Sequence, residues 1–353
     1  MKVVVFTECP TKDYFRALLK LDNNIQFIDS RAFYLFFLKV YSELYFLRKI
    51  GSKLGKPLEV KKVLWKDVFW SFFGYIYLIF TSKKVITLFA PYSWIAVYLF
   101  VIRTLGTKVV YMTSWPHWNE KDYVFKPNKI KVFFWEKFLE NIKCVTISKS
   151  AESSLKKFTP NIVQIPHAVD LSLFKVGRKD KKFKVLFVGR IIKEKGIQGI
   201  LNVASSLKDI EFVFVGSGGY VDNVKNCNLK NVVYLGEVRD REKLAEIFAS
   251  ASVFVLNSYK IHGWEELYGI VLLEALASGT CVISTDCVGP KEIVKKEFGF
   301  LISQKNDKEL KEKIEFLFKN KELAEKMGLK GRKFVENNYD INVLSQKWND
   351  ILK

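Results

Sequence analysis

Residues 253–294 constrain the fold more than any other stretch, and their sequence is VFVLNSYKIHGWEELYGIVLLEALASGTCVISTDCVGPKEIV. A β-branched run at 253–256 leads through a polar and aromatic loop to an apolar helical run at about 269–278. A second β-branched run follows at 281–284. Gly279 separates the helix from this second strand, and glycine commonly ends helices because it enters the left-handed conformation at little cost. A strand, a helix and a strand in immediate succession predict a crossover between parallel strands.

The same alternation of short strands and helical segments runs along the whole chain. A length of 353 residues is typical of about two domains. A basic stretch at 176–184, which lacks apolar periodicity, predicts the linker between them. We therefore predict an α/β protein with two doubly wound parallel sheets, in domains that span 1–175 and 176–338. The predicted strands are 3–6, 25–29, 85–89, 108–112, 145–148 and 162–166 in the first domain, and 184–188, 212–215, 232–235, 253–256 and 281–284 in the second.

Residues 85–102 carry no charge over eighteen positions, which is the lower limit for a membrane-spanning helix. Pro91 lies between a strand-like run and a helix-like run, so we predict a strand, a turn and a helix here. Two longer aromatic-rich runs, joined by a basic segment, occupy residues 31–80. We expect these runs to contribute to the core and to the surface of the first domain.

The positive charge of the chain is concentrated in its first half. The net charge is +20, and residues 1–150 hold 24 Lys or Arg against 11 Asp or Glu, whereas residues 201–353 hold 22 of each. Such asymmetry favours a polyanionic partner, either nucleic acid or an anionic membrane surface. The interleaved aromatic residues favour the membrane surface, since no known nucleic-acid-binding motif is present.

The cysteine and histidine residues give no sign of a metal site. Five cysteines without a C-x-x-C pair, together with three histidines, lack metal-ligand spacing. The cysteines fit a reducing compartment, and the N-terminal sequence fits a first strand better than a secretory signal. We therefore expect a cytoplasmic protein, peripheral on the cytoplasmic face of the membrane, that needs no metal or other cofactor.

Four predicted strands of the second domain end in glycine-containing or polar loops. Gly189 and Arg190 follow one strand, Gly216 and Gly236 follow two others, and Glu266 ends the loop after the fourth. Because the carboxyl ends of parallel strands share one edge, ligands bind there. Arg190 and Lys195, together with the N-terminus of the helix that follows Glu266, predict a negatively charged ligand.

Two glutamates surround that helix N-terminus. Glu274 lies within the apolar helix, where a carboxylate is rarely buried without a partner, and Glu266 precedes it by eight residues. Taken alone, Glu274 fits a charge on a narrow solvent-facing stripe; the pair instead favours a ligand site.

This segment resembles the retaining nucleotide-sugar glycosyltransferases of family four, also called group 1 glycosyltransferases. Their E-x7-E motif matches Glu266 to Glu274, and ordered matches extend over about residues 145–300. The matches include V-G-R at 188–190, L-G-E-V at 235–238 and I-P-H-A-V-D at 165–170. Asn257, Leu267 and Cys281 depart from the family pattern and remove neither carboxylate. The resemblance implies a GT-B fold, with two Rossmann-like domains facing a cleft and the last helix, 339–353, returning to the first domain.

The resemblance also implies the roles of individual residues. Arg190 and Lys195 would neutralise the diphosphate leaving group, Glu266 would hold the donor sugar, and Glu274 would bind the ribose hydroxyls. The family often carries a histidine after the fourth strand, and here either Trp115 or His117 occupies that position. The alternative for His117 is a loop histidine without a chemical role. The expected catalytic residues are Glu266, His117, Arg190 and Lys195. The expected donor-binding residues are Gly189, Arg190, Lys195, Gly216, Val238, Glu266, Tyr268, Gly269, Ile270 and Glu274.

The function implied is transfer of a sugar, as by a hexosyltransferase of class EC 2.4. The donor would be a nucleotide diphosphate sugar, and the acceptor a lipid, a lipid-linked sugar or a glycan at the membrane surface. Three alternatives remain open at this point. They are a non-catalytic membrane-associated partner with the same fold, a sugar-nucleotide epimerase and a nucleic-acid-binding protein.

Overall fold

The computed structural model describes residues 3–7, 12–22, 24–30, 65–81, 84–118 and 127–353. Within these residues, the first sheet is six-stranded and wholly parallel. Its strand order is β2-β1-β3-β4-β5-β6, so the chain changes direction between β1 and β3. The strands are β1 (Val3–Thr7), β2 (Gln26–Asp29), β3 (Lys84–Leu88), β4 (Val109–Thr113), β5 (Lys143–Thr146) and β6 (Ile162–Gln164).

The second sheet is also six-stranded and wholly parallel within the described residues. Its order is β12-β11-β10-β7-β8-β9, with the change of direction between β7 and β10. The two doubly wound parallel sheets predicted from the sequence are thus confirmed. The strands are β7 (Lys184–Val188), β8 (Glu211–Val215), β9 (Val232–Tyr234), β10 (Val253–Leu256), β11 (Cys281–Thr285) and β12 (Gly299–Ile302), the last of which the sequence analysis did not predict.

The strands form parallel sheets because their side chains are apolar on both faces. β1, β4 and β11 are buried at every position. The sequence of a strand that is buried on both faces is a continuous apolar run, which is typical of sheets covered by helices on each side.

Helices cover both faces of the first sheet. One face carries the helices that supply Leu78, Leu99 and Trp135 to the core, and the other carries the first and the last helix of the described chain. The last helix packs through Leu344 and Trp348, which places the end of the chain against the first domain. The helices are α1 (Arg16–Leu19), α2 (Trp65–Phe80), α3 (Ile95–Thr104), α4 (Lys129–Leu139), α5 (Lys149–Leu155) and, at the end of the chain, α13 (Ile341–Leu352).

Two helices of the second domain show how capping residues satisfy the backbone groups at a helix end. Asp240 accepts hydrogen bonds from the first turn of the helix that follows it. The helix before Gly279 ends as predicted, because Gly279 has φ +68° and the Gly279 and Thr280 N–H groups donate back to Leu276 and Ala275. The helices of this domain are α6 (Ile197–Ser206), α7 (Val221–Lys225), α8 (Arg241–Ser250), α9 (Ile270–Ala277), α10 (Val288–Ile293), α11 (Asp307–Lys319) and α12 (Lys321–Tyr339).

The uncharged segment 85–102 folds as predicted, since it supplies most of β3, a turn and most of α3. Among the described residues, no helix is both long and apolar enough to cross a membrane. Of the two aromatic-rich runs, residues 65–80 form α2, whereas the part at 31–64 lies outside the described residues.

Candidate active site

The carboxyl ends of four strands deliver the predicted loops to one edge of the second sheet. Gly189 and Arg190 follow β7, and Gly216 follows the adjacent strand β8. The two glycines lie against each other, because a Cβ atom at Gly216 would come within 1.9 Å of the Gly189 carbonyl oxygen. The Gly216 N–H in turn donates to the Gly236 carbonyl at 2.8 Å, two residues before Val238. The backbone itself therefore forms this edge, as suits a ligand that approaches closely.

A cavity of about 510 Å³ lies in the cleft between the two domains. It brings together seven of the predicted site residues, although they come from distant parts of the chain. These are His117 from the first domain and Arg190, Lys195, Glu266, Tyr268, Gly269 and Ile270 from the second.

The other predicted donor-binding residues do not line this cavity. Gly189 directly precedes Arg190, and Gly216 contacts Gly189. Val238 packs partly buried against the core of the second domain, and Glu274 lies one turn into α9. These four positions therefore belong to the sheet edge and helix next to the cavity, not to its wall.

Lys195 and Glu266 form an ion pair with each other at the cavity wall. Their side chains are only 11% and 13% exposed, so the pair is largely shielded from water. The Ser258 hydroxyl donates to the same carboxylate oxygen at 3.4 Å, and the Lys195 ammonium lies 5.4 Å from the centre of the Trp264 ring. A group entering the cavity can therefore meet a lysine and a carboxylate whose positions are already fixed.

Arg190 supplies a second positive charge, and it is exposed at the cavity wall. Its guanidinium forms no ion pair with the residues that the structure describes, in contrast to Lys195. Gly269 and Ile270 bring the N-terminus of α9 to the same cavity, and no side chain caps that helix. Uncapped backbone N–H groups beside an arginine favour phosphate oxygens.

Glu274 is 2% exposed and has two arginine partners. Its Oε1 atom accepts hydrogen bonds from Arg241 at 2.9 Å and from Arg16 of the first domain at 3.4 Å. The solvent-facing alternative is therefore wrong. The family resemblance implies a ribose partner for this buried carboxylate, whereas in the structure arginines from both domains balance its charge.

Trp115 and His117 both line the cavity, so the structure brings both candidates for the first-domain position to the site. The Trp115 indole N–H donates to the His117 carbonyl at 2.6 Å. The adjacent Trp118 is buried, packs on Trp135 of α4 and accepts a hydrogen bond from the Tyr92 hydroxyl at its carbonyl. This packing holds the loop after β4 at the mouth of the cleft.

Aromatic side chains of both domains meet beside the cavity, where His167 of the first domain contacts Tyr268 of the second. His167 stacks on Tyr14 with ring centres 4.7 Å apart, and its carbonyl accepts a hydrogen bond from the Tyr268 hydroxyl at 3.3 Å. Burial raises the pKa of the Tyr268 phenol well above its ordinary value, so this group stays a neutral donor.

A second contact across the cleft involves Glu292 of α10. Its two carboxylate oxygens accept hydrogen bonds from the backbone N–H groups of Lys149 and Ser150, at 2.7 and 2.8 Å. Glu292 thereby caps the N-terminus of α5 in the other domain, which favours the closed arrangement of the two domains.

Sequence reasoning missed several residues at and around the site. Arg241 and Glu292 gave no local signal, because single charged residues on surface helices are common. The loop at 259–265 offered a detectable signal, since it places aromatic and basic residues directly before Glu266. The residues missed are Tyr14, Arg16, His167, Arg241, Lys260, His262, Trp264, Glu265 and Glu292.

No metal-binding group of three or more His, Cys, Asp or Glu residues occurs within the described ranges. The independence from metals expected from the sequence stays a prediction, because positive charge at the cavity wall does not by itself exclude an added cation.

The sequence matches a known family and several of its members. The profile of the family described as glycosyl transferases group 1 matches residues 169–334. An uncharacterized glycosyltransferase of Haemophilus influenzae is 30% identical over 254 residues, which cover 67% of this chain and 68% of that protein. The N,N'-diacetylbacillosaminyl-diphospho-undecaprenol alpha-1,3-N-acetylgalactosaminyltransferase of Campylobacter jejuni is 32% identical over 215 residues, covering 59% of this chain. The match spans about half of that relative, 54% of its length.

Solved structures share the architecture across nearly the whole chain. Sucrose-phosphate synthase from Thermosynechococcus elongatus superposes with a TM-score of 0.72 and 17% identity, over 99% of this chain and 98% of that one. HepE from Anabaena, crystallised with UDP, gives a TM-score of 0.72 and 13% identity, over 100% and 99%. At these identities the likeness shows the fold alone.

Proposed function

Since the chain belongs to the group 1 glycosyltransferases and has the GT-B fold, we propose that it transfers a sugar from a nucleoside diphosphate sugar to an acceptor at a membrane surface. The acceptor is a lipid, a lipid-linked sugar or a growing glycan, and the anomeric configuration is retained. The observation that carries the proposal is an interdomain cavity at which His117, Arg190, Lys195 and Glu266 meet.

The donor lies mainly on the second domain. Its diphosphate contacts Arg190 and the N-terminus of α9, where an exposed guanidinium and uncapped N–H groups face the cavity. The ribose lies toward Glu274, which is bonded by Arg241 and Arg16. The ribose hydroxyls donate to the Glu274 carboxylate, either beside these arginines or in place of one of them. Glu266, fixed by Lys195, accepts hydrogen bonds from the donor sugar.

The chemical step breaks the bond between the anomeric carbon and the diphosphate oxygen, and the diphosphate leaves with the electron pair. The acceptor hydroxyl oxygen then bonds to the anomeric carbon, and its proton passes to an oxygen of the departing diphosphate. Negative charge therefore grows on the diphosphate oxygens, next to Arg190 and Lys195. Fixed cations at the point where charge develops stabilise the transition state more than the bound donor.

The acceptor enters from the first-domain side of the cavity. Ser114, Trp115 and His117 line that side, and an indole beside a histidine suits the apolar face and hydroxyl groups of a sugar. The relative from Campylobacter jejuni is named for transfer to a diphospho-undecaprenol-linked sugar, which supports a lipid-linked acceptor.

A thermal-shift screen with UDP, GDP and ADP tests donor binding and identifies the base. A ligand present at 100 times its dissociation constant adds about 2.7 kcal/mol of stability, enough to shift the melting temperature measurably. Parallel assays with labelled nucleotide sugars and membrane lipid extract, with and without a chelator, test transfer and metal independence.

Each competing function predicts a different outcome of these assays. Failure of all three nucleotides to stabilise the protein, with no transfer from any donor, would contradict the proposal and favour a non-catalytic partner. Isomerisation of the donor without an acceptor would indicate an epimerase. Steeply salt-dependent binding of DNA or RNA, without nucleotide stabilisation, would indicate a nucleic-acid-binding protein.

A further inference from the structure

One face of the first domain exposes large apolar side chains that the proposed chemistry does not use. On α3 and its two flanking residues, Trp94 is 50%, Val101 42% and Leu105 61% exposed. On α4, Ile130 is 56% and Phe133 is 52% exposed. We call these five residues, together with Phe80 at the end of α2, the apolar face; Phe80 is 81% exposed.

The apolar face is continuous because its three helices pack side by side on the same face of the first sheet. Arg103 of α3 donates to the backbone carbonyls of Lys137 and Phe138 in α4, both at 2.9 Å. The Tyr98 hydroxyl of α3 donates to the Tyr75 carbonyl of α2 at 2.6 Å. The outward side chains of these adjacent helices therefore face the same side of the domain.

Two basic residues lie at one end of the apolar face, at the start of α4. Lys129 is exposed beside Ile130, and the Lys131 ammonium lies 5.2 Å from the centre of the Trp94 ring. Neither lysine forms an ion pair with the described residues, whereas Lys137 pairs with Glu140 at 3.1 Å. Unpaired lysines beside exposed aromatic and aliphatic side chains complement a surface that is both anionic and apolar.

The second domain gives a useful contrast. Phe316, Leu323 and Leu329 are 44%, 38% and 48% exposed, but they lie on α11 and α12 among both acidic and basic residues. Scattered exposed apolar side chains of this kind are normal for soluble domains. The clustering on the first domain is therefore a local feature and is not a general property of the chain.

The apolar face begins near the cavity. In a doubly wound domain, a helix starts at the carboxyl edge of the strand it follows, so Trp94 and Ile130 lie toward the edge that faces the cleft. The loop that carries His117 into the cavity continues to Trp118, which packs on Trp135 of α4. A surface bound by α3 and α4 thus lies beside the first-domain side of the cavity.

We propose that the apolar face docks on an anionic lipid bilayer, with its aromatic rings at the headgroup level and Lys129 and Lys131 against lipid phosphates. The docking itself is independent of the sugar transfer, and only its purpose rests on the proposed function. A docked first domain presents membrane-embedded acceptors to the cavity mouth, while the second domain remains free to exchange the donor.

Vesicle co-sedimentation tests the docking with the full chain. Wild type is mixed with vesicles of phosphatidylcholine and phosphatidylglycerol, or of phosphatidylcholine alone. The test variant carries Phe80→Ser, Trp94→Ser and Phe133→Ser; the matched control carries Phe316→Ser, Leu323→Ser and Leu329→Ser. Circular dichroism melts test whether both variants are folded.

Wild type is expected to bind the anionic vesicles and to bind the neutral vesicles more weakly. Losing one aromatic ring that is buried in the bilayer weakens partitioning onto vesicles by about tenfold. The partitioning of the test variant should therefore fall at least tenfold, whereas that of the control should stay near the wild-type value. Replacing Lys129 and Lys131 by alanine weakens partitioning by about fivefold per charge, and added salt removes the difference.

Several results would overturn the docking proposal. They are absence of vesicle binding by wild type, equal loss in test and control variants, or concentration-dependent self-association that the test variant abolishes. RNA or DNA binding that is lost in the same variant would point to a nucleic acid instead. Donor hydrolysis, measured without vesicles, reports the proposed function separately: it should be equal in wild type and test variant.

Discussion

Replacing Lys195 by alanine tests the candidate active site most directly. The lysine side chain is 11% exposed and pairs with Glu266, which is 13% exposed, so both charges act in a partly water-excluded setting. Loss of a fixed group that stabilises developing charge lowers kcat by about 10²–10³, equivalent to roughly 2.7–4 kcal/mol. Because the charge on the diphosphate grows in the transition state, kcat should fall more than the donor KM rises.

The same substitution also removes the partner of Glu266, so stability must be measured separately. Breaking a fully buried ion pair costs about 3–5 kcal/mol. The pair at Lys195 retains some contact with water, so its loss should fall below that range. Urea denaturation of the variant gives this value, and the activity assay is then run well below its unfolding midpoint.

Lys184 provides the matched control. It is the first residue of β7, whereas Lys195 lies in the loop that follows this strand; the Lys184 side chain is 16% exposed and pairs with Asp180. Lys184→Ala should lower stability to a comparable or smaller extent and leave kcat unchanged. Lys195→Arg should restore part of the activity, since it keeps the charge. A kcat within threefold of wild type for Lys195→Ala, or an equal loss in Lys184→Ala, would refute the assigned role.

Three further predictions follow from close contacts in the structure. Gly216→Ala should weaken nucleoside diphosphate binding by more than tenfold, since its Cβ would lie 1.9 Å from the Gly189 carbonyl oxygen. Gly219→Ala is the control, because the space around its Cβ is open, and it should bind the nucleotide normally in the same thermal-shift titration. Glu292→Ala removes the cap across the cleft and should lower kcat/KM by about tenfold while enlarging the particle in small-angle scattering, and an unchanged radius would contradict this role. Burial lowers the pKa of Lys179 to about 8, so its contribution to the free energy of unfolding rises from about pH 8 to pH 10, where the unfolded chain binds the proton more tightly. Urea denaturation at both pH values gives the free energy of unfolding of wild type and of Lys179→Met. The wild-type value minus the variant value should rise between pH 8 and pH 10, and a constant difference would be inconsistent with a lowered pKa of Lys179.

Much of the fold could be predicted because it depends on local pattern. Continuous β-branched runs predicted the strands to within one or two residues, and Gly279 predicted the end of α9. The exception is β12, whose sequence GFLI follows closely after α10 and gives too short an apolar run to separate from the adjoining loop. The boundary between the domains at residues 175 and 176 stays a prediction.

The wall of the cavity was partly predictable for a topological reason. Parallel strands place all their carboxyl ends on one edge, so loops far apart in sequence meet there irrespective of their length. Arg190, Lys195 and Glu266 were therefore expected near each other, and they line one cavity. The roles of these residues in donor binding and catalysis stay predictions that the variants above address.

The sequence by itself determined two parallel sheets, the loops at their carboxyl edges and a pair of glutamates at the start of one helix. Only the tertiary structure decided which charges meet there. Lys195 pairs with Glu266, and Glu274 is bonded by Arg241 and by Arg16 from the other domain. Local periodicity specifies the direction in which a side chain leaves its own element. The partner of that side chain depends on how separate elements pack. A buried charge needs an opposite charge within hydrogen-bond distance, and only the packing decides which residue supplies it.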